Sequence, residues 1–571
     1  MRLFRIPAFT ICVTCFVSSA AGEFRFVDAT KESGVDMTIV CGNTPSRHIL
    51  DANGGGVAIF DYDNDEDLDL FFANGATMAD VEHGPGCKLF RNRGDGRFDD
   101  VTKEVGINVT RWANGVAVGD VDGNGRDDIY ITCYGPNILL KNQLVDGKTR
   151  FIDVTEKAGV GDRRWATSAA FGDIDNDDDL DLYVVNYLEF DVNNPPDRTG
   201  KQFKGVNVMA GPQGLTAQAD VLYENNGDGT FKDVTKSSGC SVSESGYGLG
   251  VVMLDFDLDG KLDIFVGNDS TENFLFHNQG GGKFRNVGRR SGVSANFDGS
   301  HQATMGIAVG DVDNNGLPDL FSTNFSSDTN TLHANVGQGF FDDRTNQFGL
   351  GVVSRPFLGW GAGFYDFDLD GDEDLFIANG HVYPEAADHP MDTEYTQEPL
   401  LFKYDGKRFR KVEDAGPPFQ QKYTARATAF GDLDGDGDVD IAMTTLNGKV
   451  RILRNEANQC DKTLVVRLVD SKGNPRGYGA MITLETSMGV QRRWLTGGGS
   501  YQSVDSPNSY FALPNDGWQK LTVQWVDGTG LTMYPAGHGH GGMVWTVTKG
   551  SENIKYRQLR HCPPSRRAKI E

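Results

Sequence analysis

Residues Asp61–Leu70 read DYDNDEDLDL, six carboxylates in ten positions, between the apolar runs GVAIF (56–60) and FFANG (71–75). Like charge at this density is out of place between two segments that look like buried strands. The stretch recurs. DVDGNGRDDI starts at Asp120, DIDNDDDLDL at Asp173, DFDLDGKLDI at Asp255, DVDNNGLPDL at Asp311, DFDLDGDEDL at Asp366 and DLDGDGDVDI at Asp432. Seven copies at intervals of roughly 60 residues define a repeat, and a period of that size must be read before any local assignment.

Each copy follows D-x-D-x-[DN]-[GDE]-x-x-D and then Ile or Leu. In a tight loop, positions 1, 3 and 5 turn side-chain oxygens inward, position 7 offers a carbonyl and position 9 closes the cage. The first half of an EF-hand loop works this way, but an EF-hand needs flanking helices and a Glu at position 12. Here β-type apolar runs flank the loop, so the expectation is a strand–loop–strand Ca²⁺ site. Hard oxygen donors in a flexible shell suit Ca²⁺ better than Mg²⁺ or zinc. Up to seven Ca²⁺ are expected. The ligands are Asp61, Asp63, Asp65 and Asp69; Asp120, Asp122, Asn124 and Asp128; Asp173, Asp175, Asp177 and Asp181; Asp255, Asp257, Asp259 and Asp263; Asp311, Asp313, Asn315 and Asp319; Asp366, Asp368, Asp370 and Asp374; and Asp432, Asp434, Asp436 and Asp440. The competing reading is plain acidic turns, which seven copies in register disfavour. Seven ions would bring the formal charge of −26 to about −12. Glu66 and Asp178 replace the turn glycine at position 6 and must adopt an uncommon backbone conformation. Sites one and three should therefore be the most individual, and site one the weakest.

Two further signals recur seven times each: an F-x-D-V-T-like strand (Phe24, Phe98, Phe151, Phe231, with weaker copies at Phe284, Phe340 and Phe409) and an L-x-x-N-like strand (Leu89, Leu139, Leu222, Leu275, Leu332, Leu401, Ile452). One period thus holds four short strands, as a propeller blade requires. The fold expected is all-β: a seven-bladed β-propeller with calcium loops over 23–457. Its first motif is a fourth strand and its last a third, so the two ends should pair and close the ring. Small residues three before each loop (Ala58, Ala117, Ala170, Val252, Ala308, Gly363, Ala429) suit strands at a crowded axis. Asn74, Asn186, Asn268, Asn324 and Asn379 end second strands, as turn caps or, on a sharper reading, a polar ring at the channel end. Insertions at 75–87, 187–220 and 380–399 occupy equivalent points, so they should share one face and carry the partner site. Arg93-Gly94-Asp95 fills a variable position of the turn N-x-G-D-G-x-F and is read as structural.

Alternating stretches over 458–535 predict a small β-sandwich-like domain, followed by a weakly patterned tail, 536–571, whose HGHGG at His538 is read as a glycine-rich loop. Residues 1–22 carry a basic start, an apolar run of about a dozen residues and small residues, the pattern of a secretory signal peptide, too short to span a bilayer. The net charge of −26 excludes nucleic acid as a partner. Acidic disorder is excluded by 35 phenylalanines and regular apolar runs. Six cysteines follow the leader. Cys41–Cys87, Cys133–Cys240 and Cys460–Cys562 are working pairs out of fifteen pairings, with free buried cysteines as the alternative. Asn108, Asn268 and Asn324 open N-glycosylation triplets.

GVAVGDVDGNGRDDI resembles the FG-GAP/VCBS repeats of integrin α-subunit propellers, and NPRGYGAMITLET…QRRWLTGGGSYQSVDSPNSYFAL resembles the ASPIC/UnbV domain. Together they are similar to the cartilage acidic protein family over nearly the whole chain after the leader. The resemblance implies a secreted, calcium-binding, glycosylated matrix or cell-surface interaction protein, in some members an antagonist of a neuronal receptor. Vertebrate members add an EGF-like cysteine-rich module, which a single cysteine after Cys460 does not match, so their partners are not carried over. Related sequences also occur in bacteria. Two functions follow: a non-catalytic, monomeric, extracellular binder of a protein or glycan, or a polysaccharide-binding lectin or polysaccharide-processing enzyme on the same scaffold. The sequence has no G-x-S-x-G elbow, H-E-x-x-H or Cys/His signature, which favours the binder.

Overall fold

The structure is a computed structural model that describes residues 24–562, apart from 198, 245, 390, 471–472, 534–540 and 552–553. The signal-peptide segment and His538 lie outside the described residues. Among the described residues no helix is long and apolar enough to cross a membrane.

The all-β expectation holds. Residues 26–455 form seven antiparallel four-stranded sheets, numbered here one to seven along the chain. Their first strands are Val57–Phe60, Ala113–Gly119, Ala166–Gly172, Gly248–Leu254, Ile307–Gly310, Gly359–Tyr365 and Ala425–Gly431. These contact one another in cyclic order, the seventh touching the first. Sheet seven takes its outer strand from Phe26–Asp28, which pairs with Arg451–Asn455 in the register Phe26 with Asn455. First and second strands are buried on both faces, which is why they read as continuous apolar runs rather than alternating ones. Of the small residues expected at the axis, Gly363 is required: a Cβ there would stand 2.5 Å from the Phe430 ring.

The F-x-D-V-T signal has a local mechanism. In DVT, Asp100 Oδ1 accepts from the Thr102 hydroxyl at 2.6 Å, and Thr102 Oγ1 accepts the Leu89 N–H at 3.0 Å. The same clamp joins Asp153, Thr155 and Leu139, and Asp233, Thr235 and Leu222. The motif thereby fixes the register of the two outer strands at their ends.

Residues 463–558 form two more four-stranded sheets around one apolar core, with Leu464, Val466 and Leu468 facing Ile482, Leu484, Leu521 and Val523. The separate tail expected from residue 536 is corrected. Met543–Thr548 pairs in parallel with Thr463–Val469, and Lys555–Gln558 adds to it. The glycine-poor alternation of MVWTVT is too short to stand out once it is separated from its partner strand by some 75 residues.

Cys460 and Cys562 form a disulfide across this unit. The other two expected pairs are not formed: Cys41, Cys87, Cys133 and Cys240 are free and buried. Cys41 sits in the cluster with Trp112 and Trp165, Cys87 and Cys133 in the core of the first three sheets, and Cys240 between sheets three and four. Each packs as a small apolar side chain, and burial pushes the Cys41, Cys87 and Cys240 thiols up to about 12. Two glycosylation expectations are corrected as well. The Asn268 and Asn324 amides are buried and donate to Glu272 O at 2.7 Å and Thr329 O at 2.9 Å, leaving no exit for a glycan. Asn108 is exposed.

Candidate metal centres and the docked C-terminal sheets

Each acidic loop joins the first strand of a sheet to the second, so the residue before position 1 pairs with position 9: Phe60 with Asp69, Gly119 with Asp128, Gly431 with Asp440. The carboxylate at position 1 organises the turn. Asp61 accepts the N–H groups of Asp65 at 3.1 Å and Glu66 at 3.0 Å, and Asp120, Asp255, Asp366 and Asp432 do the same in their loops. Position 9 locks the exit. Asp69 accepts from Tyr62 N at 3.1 Å and from Asn92 N at 2.8 Å.

Position 6 has positive φ in all seven loops, 73° at Glu66 and 72° at Asp178, with glycine elsewhere. Position 4 is left-handed too, at Asn64, Gly123, Asn176, Leu258, Asn314, Leu369 and Gly435. The D-x-D-x-[DN] pattern leaves position 4 free and so does not contain this second constraint. Its signal was present, since five of the seven residues are Asn or Gly, the types that tolerate the left-handed region. Leu258 and Leu369, at φ 58° and 56°, are the exceptions and carry strain.

In loops one to three the expected ligands at positions 1, 3 and 9 converge, while those at position 5, Asp65, Asn124 and Asp177, are exposed. Asp61, Asp63 and Asp69 bring oxygens within 4.8 Å of one another, as do Asp120, Asp122 and Asp128, and Asp173, Asp175 and Asp181. At position 3 the buried Oδ1 atoms of Asp63, Asp175, Asp257 and Asp313 accept no hydrogen bond, nor does that of Asp434. The other oxygen of Asp257 meets His277 Nε2 at 2.9 Å, and that of Asp313 meets Arg344 Nη1 at 3.0 Å. In these two, one oxygen meets a protein nitrogen while its twin is buried and unbonded. Burial pushes the position-9 carboxyls of Asp69, Asp128, Asp181, Asp263, Asp374 and Asp440 well above the carboxylate range, and raises Asp120, Asp173 and Asp255 to about 6. Buried carboxyls with inward, unbonded oxygens fit a hard divalent cation, which supplies both the missing contact and the missing charge. Loop two differs: Asp122 is held by Lys141 and by the Asn124 amide at 2.5 Å.

The L-x-x-N asparagine proves to be a staple between sheets. Asn142 Nδ2 donates to Asp127 O of its own loop at 3.1 Å and to Tyr62 O of the preceding loop at 2.8 Å. Asn92, Asn225, Asn278 and Asn335 repeat the arrangement, and Asn455 bonds Phe367 O at 2.9 Å. Tyr404 stands at this position in sheet six, so the seam to sheet five has no such bond; there the ring packs on Phe409.

The C-terminal sheets sit on the acidic-loop face. Position 8 is apolar in five loops but is Asp127 in loop two and Glu373 in loop six. Arg476 meets Asp127 at 2.7 Å and Arg493 meets Glu373 at 3.0 Å, all four side chains being almost fully buried. Arg467 reaches Asp61 at 3.3 Å, Arg492 reaches Asp311 at 2.8 Å, Arg557 reaches Glu66 at 2.7 Å and Lys549 reaches Asp178 at 2.9 Å. From the same unit, residues 497–506 thread between the first strands. Their backbone accepts from Phe171 N, Val116 N, Ile307 N and Ile59 N and donates to Phe430 O, while Ser500 Oγ accepts from Ala362 N. The segment thus satisfies the edges of first strands. Only glycine fits at its entry: a Cβ on Gly497 would lie 2.1 Å from Phe171 O.

The opposite face carries the three insertions. Phe203 and Val206 of one pack with Tyr383 and Met391 of another, and Met78 and Val81 of the third join the cluster around Trp112 and Trp165. The asparagines at the ends of second strands act as caps: Asn74 bonds Val40 N and Thr38 O, and Asn379 bonds Glu398 O. Arg93 pairs with Asp99 at 2.9 Å and Asp95 with Arg97 at 2.9 Å, within the turn, consistent with a structural role for this tripeptide.

This arrangement defines a protein of FG-GAP-like repeats followed by an ASPIC and UnbV domain. The FG-GAP-like repeat matches residues 61–131, 120–184, 208–266 and 255–322, and ASPIC and UnbV matches 470–550. The chain is similar to cartilage acidic protein 1: 24% identical to the mouse protein over 505 residues, covering 83% of this chain and 70% of the relative, and 24% to the human protein over 507 residues. The resemblance drawn from the motifs is thereby borne out. Among solved structures, an Agrocybe aegerita lectin that recognises non-reducing terminal N-acetylglucosamine aligns with a TM-score of 0.38 at 17% identity, over 63% of this chain and 83% of its own.

Proposed function

We propose that the chain is a secreted, calcium-stabilised, non-catalytic interaction protein, folded as a closed seven-bladed propeller capped by its C-terminal domain. It binds a protein or glycan partner through the insertion face. The observation that carries calcium binding is the set of buried inward oxygens at position 3 that accept no hydrogen bond. Seven sheets, the cyclic contact of their first strands and the pairing of Phe26–Asp28 with Arg451–Asn455 support the closed ring. Residues Asp61 to Asp440 of the seven loops would hold the ions. When bound, Ca²⁺ supplies positive charge that offsets carboxylate repulsion inside each cage. Loop two, rather than loop one as the sequence suggested, is the weakest candidate, since Lys141 neutralises Asp122 and the Asn124 amide occupies its other oxygen. The acidic face is taken up by the C-terminal sheets, which leaves the insertion face for a partner. Secretion rests on the signal-like pattern of 1–22 and on the relatives.

Elemental analysis of the purified chain, with melting followed in calcium and in EDTA, tests the reading. Several bound calcium ions and a melting temperature lowered by many degrees in EDTA are expected. Calcium-free protein with the same melt in both would sink it.

A further inference from the structure

A cavity of about 470 Å³ opens on the insertion face at the end of the ring axis. It is blind. Trp360 lines its wall, and Tyr501 of the threaded segment packs on Trp360 with ring centroids 4.8 Å apart, its hydroxyl bonded to Asn53 O at 3.3 Å. The rim is aromatic. Phe203, Phe325 and Tyr383, one ring from each of three different connections, stand 5.6 to 5.8 Å from one another. Between the rings are polar groups held in fixed geometry. Asp269 accepts the Tyr187 hydroxyl at 2.5 Å and the Ser270 hydroxyl at 2.8 Å. Asn53, 3% exposed, also lines the cavity, its amide Nδ2 buried and without a hydrogen bond.

From this geometry we propose that the cavity is a binding site for the end of a neutral glycan chain; the inference rests on the reading of the insertion face as the binding face. Three features point to that class. Aromatic rings in several orientations receive the apolar C–H faces of pyranose rings, while the fixed Asp269 carboxylate accepts from a sugar hydroxyl. The charged lining residues, Asp269 and Asp328 against Lys201, leave no net positive charge to hold an anionic sugar. The blind floor admits a chain end and not a strand running through. A purely apolar ligand would strip water from the Asp269 carboxylate without replacing it, which costs binding energy.

Calorimetry and saturation-transfer NMR on the full calcium-loaded chain, with methyl β-lactoside, methyl β-cellobioside and methyl α-maltoside as probes, test the site. Saturable binding of at least one is expected. Phe203→Ala and Tyr383→Ala should each weaken it about tenfold, and Asp269→Asn by a similar factor, with the calcium-dependent melt unchanged. Phe203 and Tyr383 are partly exposed and lie in the insertion cluster rather than a sheet core, and the melt of each variant reports any loss of fold. No binding of any probe at millimolar concentration, or binding that all three variants retain, overturns the proposal. Because the melt in calcium and EDTA is read on the same samples, a failure here with calcium stabilisation intact removes the glycan site alone.

Discussion

Arg476 and Asp127 join the C-terminal sheets to the second acidic loop: Nη2 stands 2.7 Å from Oδ2 and Nε 3.1 Å from Oδ1, with 6% and 1% of the side chains exposed. Neither charge can be left alone at this depth. Arg476→Met should destabilise the chain by about 3–5 kcal/mol, because Asp127 stays buried without its cation. The other loops supply the rescue, since Leu68, Leu180 and Leu262 hold the same position. In Arg476→Met/Asp127→Leu most of the loss should be recovered. Urea denaturation at fixed calcium measures both, and a double variant no better than the single would show that the pair is not the contact that matters.

The asparagine staple gives a second expectation. Asn225 Nδ2 bonds Val121 O at 2.9 Å and Leu180 O at 3.1 Å, inside a buried seam between sheets two and three. Asn225→Ala strands both carbonyls and should cost about 2–3 kcal/mol. Hydrogen exchange should report the loss at sheets two and three first. Uniform loosening of all seven sheets would argue against a local seam.

The repeat, the four strands per period and the loop ligands were legible because each is local: a period of two, a turn or a spacing of nine residues. What was not legible is relational. Nothing near Asn142 announces that its amide reaches Tyr62, 80 residues earlier. The threaded segment looked like a loop because GGGSYQSVDS has no period, yet its glycines answer to the backbone of Phe171 and its Ser500 to Ile307. Asp127 and Glu373 were visible as departures from an apolar position, and Arg476 and Arg493 as arginines in a β pattern. Only the fold sets them face to face. The cysteines failed for a similar reason: an even count allows disulfides, but separate apolar clusters forbid two of the three proposed.

Strain at position 4 supplies a gain-of-stability test. Leu258 holds φ 58° and is 37% exposed, so little packing opposes its replacement. Asn occupies the same position in loops one, three and five. Leu258→Asn should stabilise by about 1 kcal/mol, since a left-handed L-residue costs about 1–2 kcal/mol and Asn less. Thermal melting in calcium checks it. A neutral or negative change would mean that Leu258 packs better than its exposure indicates.

Asp505, in the threaded segment, links docking to pH. Its carboxyl is buried against the Tyr365 hydroxyl at 3.0 Å and the Phe430 N–H at 3.1 Å, with no cation in contact, and desolvation raises it to about 7. A carboxyl whose folded value lies above its unfolded value near 3.8 adds stability that is complete below 3.8 and lost as pH rises through 7. Asp505→Asn removes this titration while keeping an acceptor for Phe430 N–H. Relative to the variant, the parent should therefore lose stability from pH 5 to pH 7, with a slope approaching about 1.4 kcal/mol per pH unit between the two values and levelling off above 7. Glu373 and Asp220, also raised to about 7 by burial, titrate in both proteins and cancel in the difference. Parallel stability curves for the two proteins across this range would show that Asp505 is already ionised in the folded chain.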